Sequence, residues 1–436
     1  MTRLLAVTLA LLTAVAASAQ APTPAPTPVG GQVIYQPTYR DPVIKEMEDA
    51  TKEETKKADE ETAAIRDRQK QKKDQEEKAE TTLRFDMSTL DKPSSPQAFN
   101  APFHFPPVAQ YLTGTCWSFS TTSFYESEIA RLTGQRIKLS EIHTVYWEYV
   151  EKMRRYVRER GDSVIAEGSE SNAVNRIWKQ YGVVPAEAYP GVLSADGRHD
   201  HSRLIERLGN LAAWLKQHDE WDEELAIGMT RAILDRELGP PPASFGWQGA
   251  AYTPTEFLKN VLRLDLDAYV EVMSTLSLPF YERGEFKVPD NWWHDASYHN
   301  VPLEEWYAGI RRATALGMTV AIGGDVSEPG INGFEDAAIV PSFDIPPDRI
   351  DESAREFRFN NGTSADDHGI HLLGVMRVSD HDWFLIKDSG RSSRWGKHEG
   401  YYFYRDDFVR LKTLTYTVHR DAVADILAKF PPATAH

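Results

Sequence analysis

The spacing of apolar and polar positions divides the chain into four stretches. Leu4 to Val15 is an apolar run with Arg3 ahead of it and Ala17-Ser18-Ala19 behind it. That pattern predicts a secretory signal peptide over residues 1–19, too short to span a bilayer. Residues 20–40, with Ala-Pro-Thr-Pro-Ala-Pro-Thr-Pro, predict an extended Pro-rich linker. Residues 41–92 are crowded with charge, and no Gly or Pro stands between Pro42 and Pro93. Opposite charges recur four apart at Glu48–Lys52 and Glu53–Lys57, while Ile44, Met47 and Ile65 make no apolar seam. This predicts a charged, solvated arm, helical or disordered, with a propeptide or docking arm as alternatives. From residue 93 to 436 aromatic residues and apolar periodicity become dense, enough for one elaborated domain with a large core.

Within that last stretch a helix is predicted from Cys116 to Leu132, stopped by Gly134. A second starts after Ser140, with Ile142, Val145, Tyr146, Tyr149, Val150 and Met153 on one face. A third carries Val174, Ile177, Trp178 and Tyr181 and closes at Gly182. Residues of about 186–300 predict a largely helical insertion with Trp clusters. Strands are predicted at 319–322, 371–378, 383–387, 400–404 and 414–419, with a hairpin turn near Ser379–Asp382. Helices first and antiparallel strands later predict an α+β protein.

The formal net charge of −16 removes the electrostatic footing for nucleic-acid binding and gives no attraction to anionic membranes. Cys116 is the only cysteine, so no internal disulfide can form. The reactive form of a cysteine is its thiolate, and both a helix N-terminus and a nearby imidazolium favour that anion. Cys116 stands where a helix begins, and His368 in Asp367-His368-Gly369 is the candidate partner. Asp388, just beyond the second strand of the hairpin, is the candidate to orient the histidine. An oxyanion needs preorganised donors, and the Cys116 N–H and the Gln110 side-chain amide supply two. His199-Asp200-His201 and His294-Asp295 fit polar loops better than metal sites. Asp325 to Asp336 fits a calcium loop poorly because Pro329 stands at a ligand position. No cofactor or metal is expected.

Gln110-x5-Cys116-Trp117-Ser118-Phe119, paired with Asp367-His368-Gly369-Ile370-His371-Leu372-Leu373-Gly374, resembles the papain-like cysteine peptidases. Leu139-Ser140-Glu141, Tyr181-Gly182-Val183-Val184-Pro185 and Gly323-Gly324-Asp325-Val326 bring it nearer the bleomycin hydrolase and bacterial aminopeptidase C branch. The resemblance implies a two-lobe fold, helical and β-rich. It also implies a peptide or protein substrate, aminopeptidase-like cleavage and a homo-oligomer, hexameric in that branch. The Gly374 register selects His368 over His371. Three departures stand out. Asp388-Ser389-Gly390 replaces the branch's Asn-Ser-Trp-Gly, so the shielding Trp is missing, and Trp395-Gly396 is the candidate substitute. The C-terminal tail, which in the branch enters the cleft, ends here in Pro-Pro-Ala-Thr-Ala-His436. The leader predicts export, to a periplasm or outside the cell, where relatives are cytosolic. Two other readings stay open: a Cys-dependent acyltransferase, and a catalytically degenerate peptidase fold used as a binding module.

Overall fold

The computed structural model describes Gly31 and residues 33–432. The signal-peptide reading and most of the Pro-rich linker lie outside the described residues. The chain divides into two compact units, one ending at Thr82 and the other beginning at Leu83. The first unit contains helix α1 (Pro42–Ala79), started by Asp41, whose side chain accepts from the N–H groups of Val43 and Ile44, with Pro42 at the first helical position. None of its residues is buried. Lys52 pairs with Asp49 at 3.7 Å, and Lys72 with Glu76 at 3.5 Å. The expected partners Glu48 and Glu53 make no ion pair among the described residues; such exposed pairs stabilise a helix only slightly.

The second unit begins at Leu83, ahead of the expected start at residue 93. Met87 is buried, and Phe85 and Leu90 pack with it against Phe99, Trp383 and Phe403. Lys92 Nζ reaches Glu335 at 2.7 Å. These few apolar residues are diluted by charge in the sequence, so composition alone assigns them to the arm.

Helix α2 (Cys116–Thr133) is central. Trp117 through Ile129 are all buried, and the helix ends at Gly134, whose φ of 72° suits a residue without a Cβ. Helix α3 (Glu141–Arg158) starts at Ser140, whose Oγ accepts from the His143 N–H at 3.0 Å. Helix α4 (Ser171–Tyr181) closes at Gly182, where a Cβ would fall 2.2 Å from the Pro254 carbonyl carbon. Helices α5 (Ser202–Gln217) and α6 (Glu223–Glu237) cover α3 through Met153, Tyr156, Leu211, Leu215 and Ala226.

The stretch expected to be a helical insertion, about 186–300, carries its two long helices in its first half and only short helical segments, within Pro254–Ala268, in its second. After a small hairpin, β1 (Phe245–Trp247) with β2 (Ala250–Tyr252), and the single turn α7 (Pro254–Glu256), the chain enters the main sheet. Strands β3 (Tyr269–Met273), β4 (Arg283–Gly284) and β5 (Tyr298–Asn300) lie at one end of it. β3 and β5 are short and buried on nearly every residue, so the apolar–polar alternation that marks a half-exposed strand is missing from them.

Helix α8 (Leu303–Ala315) precedes β6 (Val320–Gly324), the short β7 (Ile331–Asn332) and β8 (Ala337–Ala338), the long β9 (His368–Val378), β10 (His381–Lys387), β11 (Tyr401–Arg405) and β12 (Thr413–His419). Among the described residues the order is β4-β5-β3-β12-β6-β9-β10-β11-β8-β7. β9 and β10 form the expected hairpin, pairing Val378 with His381 around Ser379 at φ 52°. Trp306 and Ile310 of α8 pack with Val320, Leu372, Phe384 and Tyr416 in the largest buried apolar cluster. Helix α2 lies along β9, where Phe124 meets His371 edge-on at 6.2 Å and Ser120 and Trp117 meet Gly369. The result is an α+β protein with a helical lobe and a β-rich lobe that meet along α2 and β9.

Candidate active site

Cys116 is the first residue of α2 and is half-buried. The N-cap Thr115 makes no side-chain cap, and its carbonyl already accepts from Ser118 and Phe119 at 2.9 and 3.2 Å. The N–H groups of Cys116 and Trp117, ahead of those two, have no intrahelical partner. His368 opens β9, and β9 is pressed close to the head of α2. At the next residue, Gly369, a Cβ would lie 2.8 Å from Ser120 Oγ and 3.1 Å from the Trp117 Cα. Only glycine permits that approach, and the approach is what carries the imidazole to the thiol.

His368 Nε2 sits 3.0 Å from Asp388 Oδ1, and both side chains are buried. The same oxygen accepts the Gly390 N–H. Burial works against a charged imidazole here. The Asp388 carboxylate and the adjoining Cys116 sulfur outweigh it and hold His368 well above the ordinary histidine value.

Gln110 is buried and fixed at three points. Its N–H donates to the Ser389 carbonyl at 3.0 Å, its Nε2 donates to the Thr113 carbonyl at 2.7 Å, and its Oε1 accepts from Ser389 Oγ at 2.7 Å. The second Nε2 hydrogen remains available. Ser389 was not singled out in the sequence; its position directly after Asp388 is the only signal that could have done so. It ties Gln110 to the strand end that carries Asp388.

The structure thus places Gln110, His368 and Asp388 in the lining of one cleft of about 530 Å³, with Tyr111, Glu167, Arg391 and Trp395, and Cys116 adjoins it through its contact with His368. His371 stays outside it. Its ring is fully buried beside Ser123, with Nδ1 2.8 Å from Ser123 Oγ, which Lys387 Nζ also reaches at 2.8 Å. Burial and the neighbouring Lys387 push His371 well below the ordinary value, so it is neutral. Ser123 lies two turns along α2, about 10 Å from its head.

Gly390 stands where the shielding Trp was expected. A Cβ there would meet Asp388 Oδ1 at 2.9 Å and His368 Nε2 at 3.2 Å, so this backbone has no room for a side chain. Trp395 lines the cleft, stacks on Phe334 at 5.4 Å and keeps 38% of its surface exposed. It covers the rim and leaves the His368–Asp388 bond to be shielded by burial. The described part of the C-terminal tail runs elsewhere: Phe430 packs on His299 and Tyr281, and Arg283 donates to the Pro431 carbonyl at 3.2 Å. His199 and His201, expected in polar loops, have rings 6.3 Å apart, and His294 pairs with Glu285 at 2.6 Å. Among the described residues no group of three or more His, Cys, Asp or Glu side chains is placed to hold a metal ion.

No protein-family model matches the chain. Its sequence is 22% identical over 360 residues to an aminopeptidase C of Lactococcus lactis subsp. cremoris, covering 73% of this chain and 82% of that protein. It is 22% identical over 265 residues to an aminopeptidase C of Streptococcus thermophilus, covering 50% and 58%. The crystal structure of PepW from Lactobacillus rhamnosis HN001 superposes with a TM-score of 0.61 at 17% identity, over 78% of this chain and 85% of that one. In both sequence and fold, the chain resembles the papain-like bleomycin hydrolase and aminopeptidase C branch.

Proposed function

We propose that the protein is a cysteine peptidase that hydrolyses peptide bonds, with aminopeptidase-like action. The observation that carries this reading is the line Cys116–His368–Asp388, with His368 Nε2 bound to Asp388 and the imidazole held charged beside the sulfur. With Nε2 engaged, Nδ1 is the nitrogen left to exchange a proton with Cys116. The Cys116 sulfur attacks the scissile carbonyl carbon, and the carbonyl π electrons move to oxygen. The Cys116 N–H and the free Gln110 amide hydrogen stabilise that oxyanion. The tetrahedral intermediate collapses, the C–N bond breaks, and His368 gives its proton to the leaving amine. Water, deprotonated by His368, then splits the thioester and restores the thiol. Asp388 holds the ring in the orientation that both steps need. The aminopeptidase C relatives support the choice of peptide substrates.

The test is alkylation of Cys116 by iodoacetamide against pH, beside hydrolysis of fluorogenic aminoacyl amides. Alkylation should stay fast below neutrality and fall by about a hundredfold in His368→Ala, a loss typical of removing a general base. Cys116→Ala should abolish hydrolysis and leave the fold intact. Alkylation that rises only near the free-thiol value of about 8.5 and ignores His368 would sink the reading and leave a binding module. Transfer to an added amine in preference to water would favour an acyltransferase.

Export is part of the same proposal. Residues 1–19 act as a cleaved leader, so the exported protein should begin at Gln20, which N-terminal sequencing of the extracytoplasmic fraction reads directly. Among the described residues no helix is long and apolar enough to cross a membrane.

A further inference from the structure

The catalytic line leaves an acidic side chain of the cleft without a role. Glu167 lines the cleft with His368 and Asp388, and its side chain keeps 25% of its surface exposed. Its Oε1 is held from behind by two groups of the helical lobe. Tyr149 Oη donates to it at 3.4 Å, and the buried His201 ring places Nδ1 3.5 Å away. Oε2 accepts no hydrogen bond among the described residues and is open to the cleft. No lysine or arginine forms an ion pair with Glu167 among the described residues, although Arg391 lines the same cleft.

The backbone under this carboxylate is fixed. Lys152 Nζ donates to the carbonyls of Ala166 and Gly168 on either side of it. The Trp117 indole N–H donates to the Glu167 carbonyl at 3.0 Å. Gly114 completes the fit, because an added Cβ would fall 2.8 Å from the Glu167 Cβ and 3.2 Å from its Oε2. Gly114 stands two residues ahead of Cys116, so its Cα lies within about 7 Å of the Cys116 Cα. The open oxygen therefore sits beside the nucleophile, on the helical-lobe wall.

The direction of the reaction says which part of a substrate meets that wall. His368 protonates the leaving amine, so the amine side of the scissile bond faces the β-rich lobe. The acyl side then extends away from His368, toward Gly114 and Glu167. The side chain nearest Glu167 is that of the residue supplying the scissile carbonyl. A carboxylate in a confined cleft favours a cation there. With one oxygen already engaged, it cannot take both parallel N–H groups of a guanidinium, so a lysine ammonium suits it better than arginine.

We propose that Glu167 is a specificity-determining residue that selects a cationic side chain, lysine before arginine, on the residue whose carbonyl Cys116 attacks. This rests on the peptidase reading and adds to it the kind of residue after which the chain is cut. It concerns the side-chain charge alone, since every aminoacyl substrate carries the same α-ammonium.

The test is kcat/KM for the methylcoumarylamides of lysine and norleucine, which share the α-ammonium and the number of side-chain carbons and differ in the side-chain charge. Wild type should favour lysine by about tenfold or more, the range of a hydrogen bond to a charged group. Glu167→Gln should bring the lysine-to-norleucine ratio close to one. Should that variant fail to fold, salt dependence in the wild type serves instead: a partly exposed ion pair is screened, so the ratio should shrink at high ionic strength. A wild-type ratio near one, a ratio unchanged in Glu167→Gln, or a ratio indifferent to salt would overturn the proposal. Turnover of neither amide, with Cys116 resistant to alkylation, would overturn the peptidase reading instead. Calorimetric binding of the same two amides to Cys116→Ala protein then decides the subsite by the same ratio.

Discussion

At the scale of the residue, the balance at His368 is set by its neighbours. Burial opposes the imidazolium, and Asp388 and the Cys116 sulfur oppose burial and win. Asp388→Asn keeps an acceptor for Nε2 and removes the charge. His368 should then lose its proton at lower pH, and the alkaline limb of the kcat/KM profile should move down. A limb that stays in place would mean Asp388 acts only through geometry. Stability follows the same sign. A histidine raised on folding contributes fully below its unfolded value of about 6.5 and loses that contribution as pH climbs through the raised folded value. The wild-type advantage over Asp388→Asn in thermal unfolding should therefore shrink on the alkaline side.

At the scale of the element, the site depends on how closely β9 meets α2. Gly369→Ala would drive a methyl into the Trp117 Cα and Ser120 Oγ. Separating strand from helix should cost about 1–3 kcal/mol, as overpacking usually does, and should slow Cys116 alkylation as His368 withdraws. Gly134→Ala is the comparison. No neighbour lies within 4 Å of an added Cβ there, and only the left-handed φ of 72° is strained. It should cost about 1 kcal/mol and leave alkylation unchanged. Equal alkylation in both variants would remove Gly369 from any role in positioning the histidine.

At the scale of the whole molecule, the unit from Leu83 onward holds every residue of the cleft and all of the buried apolar clusters. Helix α1 buries nothing of its own. A chain starting at Leu83 should thus unfold at the same temperature as the longer protein and keep its Cys116 reactivity. A chain starting at residue 93 should be less stable by about 2 kcal/mol or more, because it loses buried Met87 and the ion pair from Lys92 to Glu335. If the two truncations melt alike, residues 83–92 are not part of the folded unit.

Much of this was readable in the sequence because it is local. Helix starts and stops at Ser140, Gly134 and Gly182 depend on side chains and φ values within a few residues. The hairpin at Ser379 and the spacing of Gln110, Cys116 and His368 are also written along one dimension. What only the tertiary structure decided is non-local. Strands β3 and β5 carry no alternation because both faces are covered, and Met87 is core only because Trp383 and Phe403 lie over it. Ser389 holds Gln110 across a separation of 279 positions in the chain. Sequence order carries no signal for contacts that exist only when two lobes close on each other, so packing alone decided which polar groups share the cleft.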